Sequence, residues 1–465
     1  MPAPSLFVMA RNGSRTRMKW AAAAVAAGSV CVGALWAAAL AAPPSSRTTL
    51  WSAQIGTDRP DVGAGAAVST SGLTCIYGQT EGDFDTPGPA DTDVFVACYD
   101  KSGTFKWVRQ IGTEGTEQAA NQFAVAPNGD VYIAGTTDGE FPGEFHDGGQ
   151  DVFVAKFSRK GVLRWVKQFG GRYDDQAWGL TRARSGDLYL AVETTSDDFP
   201  AGSLTDNEFV GKMDSVLVKL SRDAELKWAR QFGTTEDDWA WGVHVSRGGD
   251  VYIAGSTFAD IDGAGPEQFH SSNSTKADGF LLRFNRNGER IWSRQFGGPD
   301  NDQFYGVGSD SFGDVYVAGF TEGALGTTGL LSNAGGTDGV VMKWSRDGEQ
   351  RWVHQHGSAG SEHEWGLFVD KKDRIFVGGY TTGALAGYQN LGSTDAYILR
   401  LDVTGNSAAH RQFGTAGTDS TEAYGVPIAV SSWGNVVISG TTDSAIWGQA
   451  NAGYTDAFIT QLAGF

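Results

Sequence analysis

Apolar and polar side chains alternate in short bursts along most of this chain. Val131-Tyr132-Ile133-Ala134 and Val152-Phe153-Val154-Ala155 are typical, rich in β-branched and aromatic residues and bounded by Gly, Asn and Asp; such runs read as strands. From residue 50 onward no segment sustains a helical period. The bursts come in sets, and one set gives the order: WVKQFG (165–170), WGLTRA (178–183), SGDLYLAVETT (185–195) and DSVLVKLS (214–221). Calling the strands a, b, c and d, with the Trp-bearing strand as d, tight turns such as Pro-Asn-Gly-Asp (127–130) join a to b. Ser-Arg-Lys-Gly (158–161) joins c to d, and the b–c connection is long and variable.

Strand d carries the punctuation W-x-x-Q-x-G. It begins at Trp51, Trp107, Trp165, Trp228, Trp292 and Trp352, and returns without its Trp at Ala409, at intervals of 56 to 64 residues. A unit of this size cannot bury its own apolar face and must pack on its neighbours. The first unit opens with only a d strand, Leu50 to Ile55, and the last ends on a c strand, Asp456 to Leu462. The N-terminal strand is therefore expected to complete the final unit, three strands from one end and one from the other. This predicts an all-β, seven-bladed β-propeller of four-stranded antiparallel blades over residues 50–465, with no open sheet edge at its seam.

The units W-x-x-Q-F-G, G-D-V-Y-I-A-G-T-T and D-x-F-V-A-K-F resemble bacterial SBBP repeats, a family named for the seven-bladed β-propeller. The resemblance covers about residues 50–465 and implies the fold; it implies no shared catalytic motif. The stretch from strand c through Gly161 to Trp165 is more loosely similar to the Trp-containing repeats of quinoprotein propellers.

Residues 1–41 lie outside the repeats. Arg11, Arg15, Arg17 and Lys19 precede an uncharged, Ala-rich run ending in Ala39-Leu40-Ala41, the pattern of a cleaved secretory signal, followed by a linker over 42–49. The alternative is an uncleaved N-terminal membrane anchor, since the run is long enough to span a bilayer. The whole chain carries a formal charge of −18. So acidic a body does not seek nucleic acid or an anionic membrane surface. Its cations sit at strand positions, Lys156, Lys219, Arg283, Lys343 and Arg400 in strand c and Arg109, Lys167, Arg230 and Arg294 in strand d. There they are expected to keep outer strands from pairing edge to edge.

Beyond Cys31 in the leader, two cysteines remain, Cys75 in a slot that is Tyr in other units and Cys98 in a slot that is Lys. On paired antiparallel strands they face each other. Export would permit a disulfide, two free buried thiols being the other reading.

Three polar positions recur in every unit: an acid five residues after the motif Gly (Asp61 through Asp419), an Asp opening strand c (Asp93 through Asp456), and a Thr closing strand b (Thr80 through Thr442). All three fall on the face where the d–a and b–c connections emerge. Such a crown could hold calcium, and the richer runs containing Asp83, Asp85, Asp260, Asp262, Asp300 and Asp302 concentrate that chance. Recurrence in every blade favours loop capping instead, because a site breaks symmetry whereas a folding device repeats. The Trp of strand d is expected to pack between sheets on the same ground.

The variable b–c loops bring aromatic and imidazole side chains to that face: Phe141, Phe145, His146, Phe199, Phe258, Phe269, Tyr388 and Trp447. Loops on one face of a rigid ring are where binding is usually placed. No G-x-S-x-G occurs, His363-Glu364 lacks a second His at metalloprotease spacing, and His354 and His356 read as drift from Arg or Lys and from Phe. The expectation is an exported, monomeric, non-enzymatic ring that binds protein or glycan at the cell surface through its b–c loops. The alternative is an exported propeller enzyme, quinoprotein-like or carbohydrate-active, working in the central funnel.

Overall fold

The computed structural model describes residues 48–84, 91–199, 211–261, 276–330, 332–420 and 428–465, so the leader segment, Asp85, Asp262 and Phe269 lie outside it. Seven sheets follow one another around an axis. Blade 1 is Asp61–Val68, Thr74–Thr80, Asp93–Tyr99 and Phe105–Ile111, each strand antiparallel to the next. Five more blades repeat that a-b-c-d order. In the seventh, Thr49–Ile55 lies antiparallel beside Asp456–Leu462, so the ring closes with the first of the described strands as outer strand of the last blade.

The core is a series of layers between blades rather than one centre. Strands b and c are buried along nearly their whole length, and the apolar cluster at each seam draws on two neighbouring sheets, Val94 and Val96 with Ile133 and Phe153, for example. Strand a lines the axis and carries a bulge at its fourth residue, Ala64, Trp178, Trp241, Tyr305 or Trp365. The Gly that follows is required by crowding. A Cβ on Gly242 would lie 2.3 Å from the Tyr305 carbonyl oxygen of the next blade, well inside any allowed contact.

The motif Trp joins blades. Trp107 Nε1 donates to the Arg159 carbonyl in the c–d turn of the following blade at 3.0 Å, and a Cβ on Gly161 of that turn would meet its indole at 2.7 Å. Trp292 and Trp352 repeat the bond to Arg346 and Val403. Two residues on, Arg109, Arg230 and Arg294 donate to the carbonyls of Gly161, Gly288 and Gly348 at 2.7–3.0 Å. These arginines hold blades together, a more specific task than shielding an edge. The strand c cations are likewise engaged: Lys156, Lys219, Arg283 and Lys343 pair with Asp130, Asp187, Asp250 and Asp314. Ala409 departs from the rule because the blade it faces has the chain ends in place of a c–d turn. It shares a cluster with Phe465, and Arg411 reaches Thr49 Oγ1 at 3.4 Å.

Cys75 and Cys98 stand opposite each other in register and form a disulfide. In other blades the same two slots hold a Lys ammonium over a Tyr ring, Lys156 on Tyr132 and Lys343 on Tyr316, at 5.0 and 5.1 Å. The disulfide replaces that contact.

Candidate functional site

The loop face is organised by the Gln of W-x-x-Q-x-G. In all seven blades its Nε2 donates to the Asp that opens strand c, at 2.6–3.1 Å. Its Oε1 accepts an amide N–H from the b–c loop, that of Phe84, Phe141, Ile261, Leu325, Leu385 or Ile446. All six lie four positions beyond the Thr of strand b, and all but the half-buried Leu325 are buried as plugs at the top of their blade. One side chain thus ties strand d, strand c and the loop.

The other recurrent acids are caps. Glu117 accepts the Thr113 N–H at 3.0 Å and the Thr137 hydroxyl at 2.6 Å, and Glu362 accepts the Ser358 N–H at 2.7 Å and the Thr381 hydroxyl. Asp302 does the same for the Gly298 N–H. The strand b Thr in turn accepts an N–H two residues on, Gly139 to Thr137 at 3.0 Å. Burial drives Asp61, Glu117, Asp175, Asp238 and Asp302 up to about 7, opposed by these hydrogen bonds. Among the described residues no three His, Cys, Asp or Glu side chains converge as a metal site. Asp83 and Asp260 are exposed and Asp300 is half-buried.

The aromatic set divides. Phe141 packs on Phe153 with 3% exposure and Phe199 on Phe169 with none, so both are core plugs rather than presented groups. That corrects their reading as binding residues: each occupies the slot in which its blade is sealed. Phe258 packs edge-on against Trp239, Tyr388 donates its hydroxyl to the His410 carbonyl, and Trp447 leans on Phe413 and Phe458; all three are half-buried. His146 Nδ1 lies 3.2 Å from Asp151. Phe145 alone of the described set projects, 72% exposed. Near it on the same rim stands Tyr173, 53% exposed, and Tyr454 of the seventh blade is 74% exposed. The blade 2 loop touches the Tyr173 loop, since a Cβ on Gly148 would meet Arg172 backbone at 2.4 Å.

The axis is not sevenfold. On the loop side Trp241 stacks on Tyr305 at 4.3 Å, Tyr305 meets Trp365 at a tilt with centroids 4.1 Å apart, and His363 stacks on Tyr380 at 5.0 Å, an aromatic wall over blades 4 to 6. Blades 1 and 2 have Ala64 and Ala120 there. Gln122 crosses the channel to accept the Val243 N–H at 3.2 Å. Below this wall a cavity of 440 Å³ opens toward the a–b turns, with Phe123, Leu180, Val243, Val307, Leu367 and Ile428 around it.

The SBBP family, described as a β-propeller repeat, matches residues 106–142 and 291–325, two segments in the same repeat register and three repeats apart within this seven-sheet ring. The chain carries SBBP-type repeats within a seven-bladed β-propeller. Its curated relatives include the regulatory protein FlaEY of Caulobacter vibrioides, 24% identical over 60% of this chain and 34% of that protein. An uncharacterized WD repeat-containing protein, L264, of Acanthamoeba polyphaga mimivirus is 20% identical over 65% and 27% of the two chains. The SBBP-repeat chain thus spans about a third or less of the length of these relatives. Similar solved structures include the hydrazine synthase of Kuenenia stuttgartiensis, with 11% identity over 83% of this chain and 94% of that one at a TM-score of 0.47. The Pan2 WD40 domain of Neurospora crassa has 12% identity over 89% and 96% at 0.44.

Within the SBBP-repeat ring one seam departs in chemistry from the rest. Where blade 4 sets Phe296 against Phe304 of blade 5, at 4.8 Å, the next seam sets His356 against Glu364, Nε2 to Oε1 2.9 Å. Glu364 is fully buried and the Tyr397 ring closes edge-on at 5.7 Å from His356. The Glu364 carboxylate raises the His356 pKa against the opposing effect of burial. Sequence reading took His356 as drift. The available signal was joint: a Phe and a small or aromatic partner both changed in one unit.

Proposed function

We propose that this ring is an exported, non-enzymatic scaffold that engages a protein or glycan through its b–c loop face. The observation that carries this reading is the division of labour on that face. The repeated carboxylates and amides are consumed in tying loops, while Phe145, Tyr173 and Tyr454 leave aromatic rings in water. Aromatic side chains are the groups most often found as anchors of an interface or as platforms for a sugar ring. The carboxyls with displaced pKa values recur in blade after blade, which suits folding rather than catalysis.

Export is supported by the basic and Ala-rich leader and by the disulfide, which forms and persists outside a reducing compartment. The net charge disfavours nucleic acid and anionic lipid as partners. The test pairs wild type with Phe145→Ala/Tyr173→Ala on a glycan array and in photo-crosslinking to source-cell envelope proteins. A ligand retained by wild type and weakened at least about tenfold in the double variant, with an unchanged melting temperature, is expected. Ligand binding that the double variant leaves intact refutes the assigned face.

A further inference from the structure

The strongest unexplained polarity of the ring lies at its blade seams. Where strand d of one blade hands over to strand a of the next, the two opening acids converge behind the motif glycine. A Cβ added to Gly112 would lie 1.6 Å from Asp93 Oδ1 and 2.5 Å from Glu117 Oε2. At Gly297 the distances are 2.6 Å to Asp278 Oδ1 and 2.7 Å to Asp302 Oδ2. Two carboxylate oxygens therefore share one small buried space. Asp93 Oδ2 already accepts Gln110 Nε2, and Glu117 accepts Thr113 and Thr137. Asp93 Oδ1 has no donor, and neither have Asp151 Oδ1, Asp395 Oδ1 and Asp456 Oδ1 in the corresponding place. Ionised carboxylates this close and out of water repel each other. One proton between them removes the repulsion and supplies the missing donor.

We propose that the seams opened by Asp93, Asp151, Asp395 and Asp456 each hold one proton shared between their two carboxyls, so that ring closure is a pH-sensitive device that tightens on mild acidification. The titratable groups facing Asp93 and Glu117 are Asp83 and Asp91 from the b–c loop and Tyr77 from strand b, none of them cationic. Asp61 of the closing seam faces Asp456. Two seams have a basic neighbour, His146 beside Asp151 and His356 beside Asp338. Burial raises Asp93 and Asp456 and takes Asp61 and Glu117 up to about 7. In the unfolded chain these acids titrate near about 4. The folded ring therefore holds protons that the unfolded chain has lost between about pH 4 and 7, and the stability they confer is complete below that window and gone above it. A bridging calcium ion fits less well, since two carboxylates supply few of the roughly six to eight oxygens it takes.

The substitution Asp93→Asn places an N–H where the proton sits and keeps an oxygen for Gln110. At pH 8 it is expected to melt above wild type, and its gain in melting temperature from pH 8 to 5 is expected to shrink by one seam's share. Asp93→Asn/Asp456→Asn should shrink it further. A lower melting temperature for Asp93→Asn at both pH values overturns the proposal in favour of simple capping. So does a calcium-induced rise at pH 8 that wild type shows and Asp93→Asn lacks. If the variants do not fold, wild-type unfolding at pH 6 in weak buffer decides: released protons support the proposal, and no release overturns it.

Discussion

Gln412→Leu isolates what the most repeated polar residue of the chain contributes. Gln412 Nε2 donates to Asp395 Oδ2 and to the Gly383 carbonyl at 2.9 and 3.0 Å, and its Oε1 accepts the Leu385 N–H at 2.9 Å. Leucine fills the same volume and makes none of these bonds. The Gly383 carbonyl is half-buried and can turn to water, but Asp395 is fully buried and Leu385 is 6% exposed. Each buried group left without its partner costs about 1–3 kcal/mol, so the loss should be about 2–4 kcal/mol after a small apolar gain. Denaturant titration measures it, and hydrogen exchange locates it, because the Leu385 amide should lose protection while the strand b amides of Ile375–Thr381 keep theirs. Gln412→Glu sets a second carboxylate against Asp395 and should cost more at pH 8 than at pH 5. A loss below about 0.5 kcal/mol, or unchanged exchange at Leu385, would show that the loop is held by something other than this clamp.

Two further pairs of variants separate packing from chemistry. Trp107→Ala removes a 6% exposed indole that bonds the next blade and should cost about 3–5 kcal/mol, whereas Trp165→Ala, half-buried, should cost about 1–2, both read by denaturant midpoints. Glu364→Ala leaves His356 buried without its carboxylate and should cost about 3–5 kcal/mol, while His356→Phe/Glu364→Ala, which copies the Phe232 and Ala240 pair of an earlier seam, should recover most of it. Because His356 is raised by Glu364, the stability their pairing adds is present below about pH 6.5 and is lost as pH climbs through the raised value, so the single variant should fall further behind wild type at pH 6 than at pH 9.

Much of the fold was legible because its determinants are periodic. The interval between successive Trp residues, the lone d strand at Leu50 and the lone c strand at Asp456 were enough to predict closure, and hairpin register set Cys75 opposite Cys98 while leaving disulfide and free thiols both open. Capping by the recurrent acids could be argued from recurrence alone. The direction of Phe141 and Phe199 could not be judged by looking at each loop separately. A comparison of Phe84, Phe141, Leu385 and Ile446 at one offset from the strand b Thr marks Phe141 as a repeated apolar plug, whereas Phe199 stands five positions beyond Thr194 rather than four and escapes it. The His356–Glu364 pair was missed for a different reason. Its members sit on different blades, and a contact between sheets leaves no mark in the alternation within either strand.

The pairing of Thr49–Ile55 with Asp456–Leu462 also sets the order of events during synthesis. Gln54 and its partner Asp456 are separated by 402 positions, so the strand that carries Gln54 emerges long before the one it pairs with. At about 5–20 residues per second, a ribosome needs on the order of half a minute to deliver that partner. Throughout that delay TLWSAQI is an unpartnered apolar β-segment, open to mispairing with a neighbouring nascent copy. A holdase that covers this one segment would protect the whole circle until its final residues arrive.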